Sequence, residues 1–309
     1  MTQTRILLLG GTSDGRKLAQ KLHQQGVTLI YSMAGLSVAG LSVAGLSMAG
    51  LARQQNLACP VISGGFSRFA MATEGNRSVT GLARFLEQEN IRLILDVTHP
   101  YAATMSQNAV LAAATVGIPC WRFHRPAWQA QPEDNWFEYP DWFSLTQGLG
   151  RYLQGLSTQE YLKKNPLTNT GNMGSILLTT GQLSTPMLTQ LLNSTETDVQ
   201  NPAGRSLGII MRTAAPSRVP LPKTIHWLKA IGPFDLPGEQ ALFAKYDVRV
   251  LVSKNSGGIA TEPKLNVARR LNIPVFMLAR PTLEPADRHF CTAESLSDAV
   301  AELFKGSVL

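Results

Sequence analysis

The chain opens with an unbroken apolar run, Ile6-Leu-Leu-Leu9, that follows Arg5 and stops at Gly10-Gly11. A run of this length closed by glycines predicts a strand buried on both faces. Leu18, Ala19 and Leu22 then recur at helical spacing within 16–25, and Gly26 supplies the stop. Residues 27–32 read as a second strand, so the first segment is β-turn-α-β, the opening of a parallel α/β sheet. The alternation continues with a helix over 78–90, a strand over 91–97, a helix over 104–116 and a strand over 118–123. It breaks between 124 and 174, where Trp128, Trp136 and Trp142 are mixed with prolines and polar residues. It resumes with strands at 175–181, 207–212, 248–253 and 273–278, and helices from Pro186, over 238–246 and over 261–271. A closing helix spans 295–304, with Ser295 and Asp298 as its capping box. The pattern predicts an α/β protein of two parallel-sheet domains with a cleft between them: 1–125, a connecting excursion at 126–174, and 175–309. Ligands of such sheets bind outside the carboxyl ends of the strands.

One stretch departs from every such pattern. Residues 34–52, AGLSVAGLSVAGLSMAGLA, repeat a five-residue unit without a single charge. The stretch has the length of a membrane span. As a helix, however, each five-residue step turns by about 500°, or about 140° net, so its leucines trace no single face. As a membrane span it would also separate the first two strands from the rest of their own sheet. It reads as a duplicated loop segment, tolerated because the cost of closing a loop grows slowly with its length.

Composition narrows the class of ligand. The net charge is +7, yet the Lys and Arg residues are scattered, with no dense basic run and no aromatic-basic interleaving. That favours a small anionic ligand over nucleic acid. The three cysteines, Cys59, Cys120 and Cys291, lie far apart and read as buried thiols of a cytoplasmic protein. The five histidines show no HxxxH spacing, so no metal site is expected.

Three turns carry candidate chemistry. Gly10-Gly-Thr-Ser-Asp-Gly15 joins the first strand to the first helix, where glycines let a phosphate approach the backbone and a helix start offers N–H groups. The bland alternative is a tight turn with Thr12 or Ser13 as helix cap. Strand two ends Leu29-Ile-Tyr-Ser32 with no acidic residue, as expected of a site for NADP(H) rather than NAD(H). Ser32 and Arg53, the first charge after the repeat, are the candidate partners of a 2′-phosphate. Leu95-Asp-Val-Thr-His-Pro-Tyr-Ala102 leaves a strand for a helix, with Asp96 and His99 at the carboxyl edge; the alternative makes Asp96 and Thr98 caps and His99 structural. Lys254-Asn-Ser-Gly-Gly-Ile-Ala-Thr261 occupies the same kind of turn in the second half and suits a carboxylate or phosphate. Its alternative is a glycine-dependent turn with Thr261 as helix cap.

Taken together these segments resemble the precorrin-6A reductase family of cobalamin biosynthesis. The matching stretches are ILLLGGTSDGRKLA, YSMAG, SGGF, LDVTHPYAATMSQNA, GIPCWRFHRPAW, LLTTG and VLVSKNSGGIATEPKLNVARRLNIPVFMLARP, in the family's order and in both halves. The THPYA and KNSGGIAT elements are specific; the GGT turn is not. The resemblance implies a two-domain Rossmann-like oxidoreductase that uses NADPH, with NADH as the alternative. Such an enzyme reduces one carbon–carbon double bond of an anionic tetrapyrrole, precorrin-6A or its cobalt form, and needs neither nucleic acid nor membrane. It further implies that Gly10, Gly11, Thr12 and Ser13 cradle the cofactor phosphates, with Ser32 and Arg53 near the adenosine ribose. His99 and Tyr101 from the first half, and Lys254, Asn255, Ser256, Gly257 and Gly258 from the second, would then line the substrate site. His99 and Lys254 are the candidate proton donors. The chain departs from the family in the first copy of its Ser-x-Ala-Gly-Arg loop, which reads Ser32-Met-Ala-Gly-Leu36, and in His124, where the family commonly has Glu.

The rival readings are another NAD(P)-dependent reductase, a non-catalytic NADP(H) sensor and a tetrapyrrole-binding protein. Reductases of the first kind commonly carry a Tyr-x-x-x-Lys pair, and no such pair follows a central strand here. A sensor would have no need of the second glycine turn.

Overall fold

The computed structural model describes residues 5–33, 56–156, 174–195 and 207–305. The repeat at 34–52 and Arg53 lie outside them. The chain forms two compact units, Met1–Pro126 with Thr282–Leu309, and Ala127–Pro281.

In the first unit β1 (Arg5–Leu9), α1 (Ser13–Gln24), β2 (Thr28–Met33) and β3 (Val61–Ser63) are followed by α2 (Arg77–Gln88), β4 (Ile91–Asp96), α3 (Ala103–Val116) and β5 (Cys120–Phe123). In the second, β6 (Trp136–Tyr139) and α4 (Trp142–Leu156) precede β7 (Ser175–Thr179), α5 (Thr185–Thr195), β8 (Gly208–Thr213), β9 (Ile225–Lys229), α6 (Leu236–Lys245), β10 (Val248–Lys254), α7 (Pro263–Arg270) and β11 (Val275–Leu278). The chain then returns to the first unit with β12 (Arg288–Phe290) and α8 (Ala293–Lys305).

Each unit is built on a six-stranded sheet, in the order β3-β2-β1-β4-β5-β12 and β9-β8-β7-β10-β11-β6. Neighbouring strands run parallel throughout. The central strands are apolar on both faces because helices cover both. Along β1, Ile6 and Leu8 meet Leu18 and Leu22 of α1 and Leu296 and Val300 of α8. The alternate residues Leu7 and Leu9 meet Leu82 and Phe85 of α2 and Ala109 and Ala112 of α3. This is the two-residue period of a strand serving two cores.

The expected α/β class and parallel sheets are present, but the expected boundaries differ. The stretch read as an excursion supplies β6 and α4, with β6 pairing to β11 in register Val275↔Trp136. The last segment does not stay with the second half: β12 pairs with β5, Arg288↔Trp121, and adds the sixth strand to the first sheet. Strands of three or four residues, such as β3, β6 and β12, are too short to show a period, which is why the pattern missed them. Two caps also differ. Thr292, not Ser295, opens α8, its Oγ1 accepting the Ser295 N–H at 3.1 Å. Thr261 lies in a 3₁₀ turn, Ile259–Thr261, and Glu262 is the N-cap of α7. Cys59 and Cys120 are buried as expected, whereas Cys291 is exposed on the return segment. Among the described residues no helix is long and apolar enough to cross a membrane.

Candidate active site

In the first sheet the strand order reverses at β1, which has β2 on one side and β4 on the other. Connections leave β1 and β4 in opposite directions, and a crevice opens between them. The turn after β1 holds Gly10 to Thr12. The Gly10 N–H donates to the Ser32 carbonyl at 2.7 Å, so Ser32, itself buried, lies directly beside the turn. Gly11 adopts φ +106°, a conformation that glycine tolerates, and the space beside its Cα is open. Thr12 is the N-cap of α1: its Oγ1 accepts the Gly15 N–H at 3.0 Å and donates to the Val97 carbonyl at 3.2 Å. Thr12 therefore caps the helix, as the bland reading expected, and also ties this turn to the one after β4. Asp14 in the first turn of α1 is ion-paired with Arg125, which offsets its negative charge at a helix start.

Tyr31, unremarked in the sequence, dominates this turn. Its ring is buried, and its hydroxyl accepts the Gly11 N–H at 2.8 Å. A Cβ on Gly10 would overlap the Tyr31 ring and hydroxyl. Burial pushes the Tyr31 phenol above its ordinary pKa, partly countered by the Gly11 N–H.

The turn after β4 is built on a buried ion pair. Arg122 Nε donates to Asp96 Oδ2 at 2.9 Å, with both side chains almost wholly excluded from solvent. Asp96 Oδ1 accepts the Thr98 N–H at 3.2 Å and its hydroxyl at 2.7 Å. Arg122 also donates to the Glu284 carbonyl at 2.6 Å, fastening the return segment to the same point. The carboxylate thus shapes the turn that presents His99 and Tyr101. The Tyr101 N–H donates to His99 Nδ1 at 3.3 Å, and the two rings lie 5.6 Å apart between centroids. Asp96 itself is wholly buried, so its place is beneath the turn. Arg122 had a legible signal: it is the one charge inside the apolar strand Cys-Trp-Arg-Phe.

In the second unit the order reverses at β7 and β10. The turn after β10 carries Lys254 to Gly258, with Gly257 at φ +67°. Burial lowers the Lys254 pKa from its ordinary value. The Lys254 carbonyl accepts the Ser256 N–H at 2.9 Å, and the Asn255 N–H donates to the Leu278 carbonyl at 3.1 Å. The Asn255 side chain grips the backbone of Trp128, Oδ1 accepting its N–H at 2.8 Å and Nδ2 donating to its carbonyl at 3.0 Å. The Asn255 carbonyl accepts Arg280 Nε at 2.9 Å. Asn255, one of the residues expected at the substrate site, also braces its turn. Of the expected residues, Gly10, Gly11, Thr12, Ser13, Ser32, His99 and Tyr101 gather at one edge of the first sheet. Lys254 to Gly258 stand at the matching edge of the second. Arg53 is outside the described residues.

The family model described as precorrin-6x reductase CbiJ/CobK matches residues 5–303. The chain belongs to this family. A precorrin-6A reductase of Rhodococcus erythropolis is 31% identical over 302 residues, covering 96% of each chain. One of Rhodobacter capsulatus is 30% identical over 285 residues, 92% of this chain and 91% of the relative. The solved structure of a CobK precorrin-6A reductase aligns with a TM-score of 0.70 and 28% identity over 97% of this chain and 96% of that one. Membership in the precorrin-6x reductase family makes this an oxidoreductase that draws on a nicotinamide cofactor. The turn after β1 fits the phosphates of such a cofactor: it combines a capped helix start with open space beside Gly11.

Proposed function

We propose that the chain reduces one carbon–carbon double bond of precorrin-6A in cobalamin biosynthesis, with NADPH as reductant. The observation that carries this reading is the match of one family model across both units, from 5 to 303. The metal-free substrate is favoured by the names of the relatives from Rhodococcus and Rhodobacter. NADPH is favoured by the end of β2, Tyr31-Ser32-Met33, which offers no carboxylate to a ribose 2′-hydroxyl.

The nicotinamide, when bound, supplies hydride. The chain's own part is binding, orientation and the proton. Gly10 to Ser13 hold the phosphates at the start of α1, and Ser32 flanks the ribose. Arg53 reads the 2′-phosphate, so Arg53→Ala weakens NADPH binding more than NADH binding; equal losses for both would remove Arg53 from this role. His99, Tyr101, Ser256 and the glycine backbone of 257–258 meet the macrocycle and its carboxylates. Lys254 gives the proton to the neighbouring carbon, because burial makes its ammonium a stronger acid than a solvated one. His99 is the second candidate: its Nδ1 accepts the Tyr101 N–H, which leaves Nε2 as the nitrogen that carries a proton.

The test is anaerobic incubation with precorrin-6A or its cobalt complex, each with NADPH or NADH, followed by mass and absorbance. A product heavier by two hydrogens with cofactor consumed is the expected result, and the four combinations rank metal state and cofactor. Cofactor binding without turnover of either substrate would point instead to a sensor.

A further inference from the structure

A lysine stands sealed beneath the turn that follows β10. Lys264, the second residue of α7, is 3% exposed. Its Nζ lies 5.0 Å from the ring centroid of Trp128, within reach of a cation–π contact. Trp128 is the residue whose backbone Asn255 grips from both sides, at 2.8 and 3.0 Å. A chain of three contacts therefore runs from Lys264 through the Trp128 ring and backbone to Asn255, at the heart of the 254–258 turn.

The surroundings make this a costly place for an ammonium. Glu239 on α6 accepts Arg212 Nη1 of β8 at 2.5 Å through Oε1. Its second oxygen, Oε2, is buried without a hydrogen-bond partner among the described residues. The Arg212 guanidinium lies over the Phe234 ring at 4.3 Å. Burial, with a smaller contribution from Arg212, lowers the Lys264 pKa to about 7, and Glu239 opposes that shift. The start of a helix also disfavours a cation. Packing alone would be served as well by methionine, which has a similar unbranched stem and carries no charge. A lysine sealed over the ring of the very residue that Asn255 grips points to work done at that turn.

We propose that Lys264 is a positioning residue for substrate: through Trp128 and Asn255 it sets the shape of the 254–258 turn that receives the tetrapyrrole. This rests on the reductase reading above. Lys264 does not meet the substrate; it fixes the residues that do. The cofactor turn, Gly10 to Ser13, belongs to the other unit, so the effect falls on one ligand only.

The experiment measures KM for precorrin-6A and for NADPH in wild type, Lys264→Met, Lys264→Arg and Trp128→Leu. Lys264→Met is expected to raise the precorrin-6A KM by about tenfold or more, as misplaced binding groups do, while the NADPH KM stays within about twofold. Lys264→Arg, which keeps a cation over the ring, is expected to retain most of the wild-type value. Should the Met variant not fold, Trp128→Leu gives the same test, because it keeps the lysine and deletes the ring it holds. A precorrin-6A KM unchanged in the folded Met or Leu variant overturns the proposal, as does an equal rise in both KM values. Wild-type turnover in the same assay separates the two readings. Its absence defeats the reductase reading and this one with it, whereas turnover with unmoved KM values defeats only the role of Lys264.

Discussion

Gly10→Ala is the sharpest perturbation of the first unit. A methyl at this position would run into Tyr31 Cζ, Cε2 and Oη. The ring has little freedom to yield. Tyr31 is 1% exposed, its backbone N–H is tied to the Pro60 carbonyl at 2.8 Å, and its hydroxyl accepts the Gly11 N–H at 2.8 Å. Overpacking in such a site costs about 1–3 kcal/mol. Displacing the hydroxyl from Gly11 adds about 0.5–1.5 kcal/mol. The variant should lose about 2–4 kcal/mol in chemical denaturation. Tyr31→Val removes the obstructing ring, so the double variant should be more stable than the sum of the single losses allows, by about 1–3 kcal/mol. A loss under about 0.5 kcal/mol for Gly10→Ala, or strict additivity with Tyr31→Val, would refute the packing account. NADPH affinity of the double variant then assigns the glycine. If affinity returns with stability, Gly10 serves Tyr31; if stability returns alone, the methyl also occupies the phosphate's place.

Three further outcomes are expected. Arg122→Met strands the Asp96 carboxylate in a dry interior and should cost about 3–5 kcal/mol by urea denaturation, with near-wild-type stability refuting the pair's importance. Lys264, with a folded pKa of about 7 against an ordinary 10.5, is fully charged in both states below about pH 6. Between the two values the unfolded chain binds more protons, so wild-type stability rises with pH through this window. Relative to Lys264→Met, whose stability lacks this dependence, the wild type should gain about 1.4 kcal/mol between pH 6 and pH 8. A pH-independent difference between the two would show that Lys264 titrates normally. Lys254→Met should lower kcat for precorrin-6A at least tenfold while NADPH affinity, measured by nicotinamide fluorescence, stays unchanged; retained kcat would remove Lys254 as proton donor.

The long elements were legible because burial on two faces writes a long signal. Ile6 to Leu9 and the helical spacing of Leu18, Ala19 and Leu22 left little choice about β1 and α1. The exchange of sixth strands was not legible. Arg288-His-Phe290 holds three residues, two of them polar, and its place is decided by pairing with Trp121 to Phe123 far away in sequence. The candidate site divided in the same way. Turn glycines and helix starts announce themselves locally, so the turns at Gly10 to Thr12 and Lys254 to Gly258 were legible as turns. The side chains that shape those turns lie beneath them and act through tertiary contacts. Tyr31 sits twenty positions from Gly11, and Arg122 sits twenty-six from Asp96. Even so, the Arg in Cys-Trp-Arg-Phe was visible as a charge in apolar surroundings, a usable sign of buried polar chemistry, whereas Lys264, between Glu-Pro and Leu-Asn, gave no such sign.

The two units solve one problem twice, with different chemistry. Each presents a turn at the point where strand order reverses, and each braces that turn with a buried polar group: Asp96 under Val97 to Tyr101, Asn255 within Lys254 to Gly258. In the first unit the brace is ionic, Asp96 with Arg122, and the partner also binds the Glu284 carbonyl of the return segment. In the second it is a neutral amide on the Trp128 backbone, at the point where the chain has just entered the unit. Both braces therefore fasten a chain crossing to a turn at a point of strand-order reversal. The polypeptide thus leaves and enters a unit beside residues pinned by buried hydrogen bonds. An ionic brace is rigid but fails badly when one partner is lost. An amide brace fails more gently, which leaves room for Lys264 and Trp128 to tune it. The first turn is accordingly the one whose shape should tolerate least substitution.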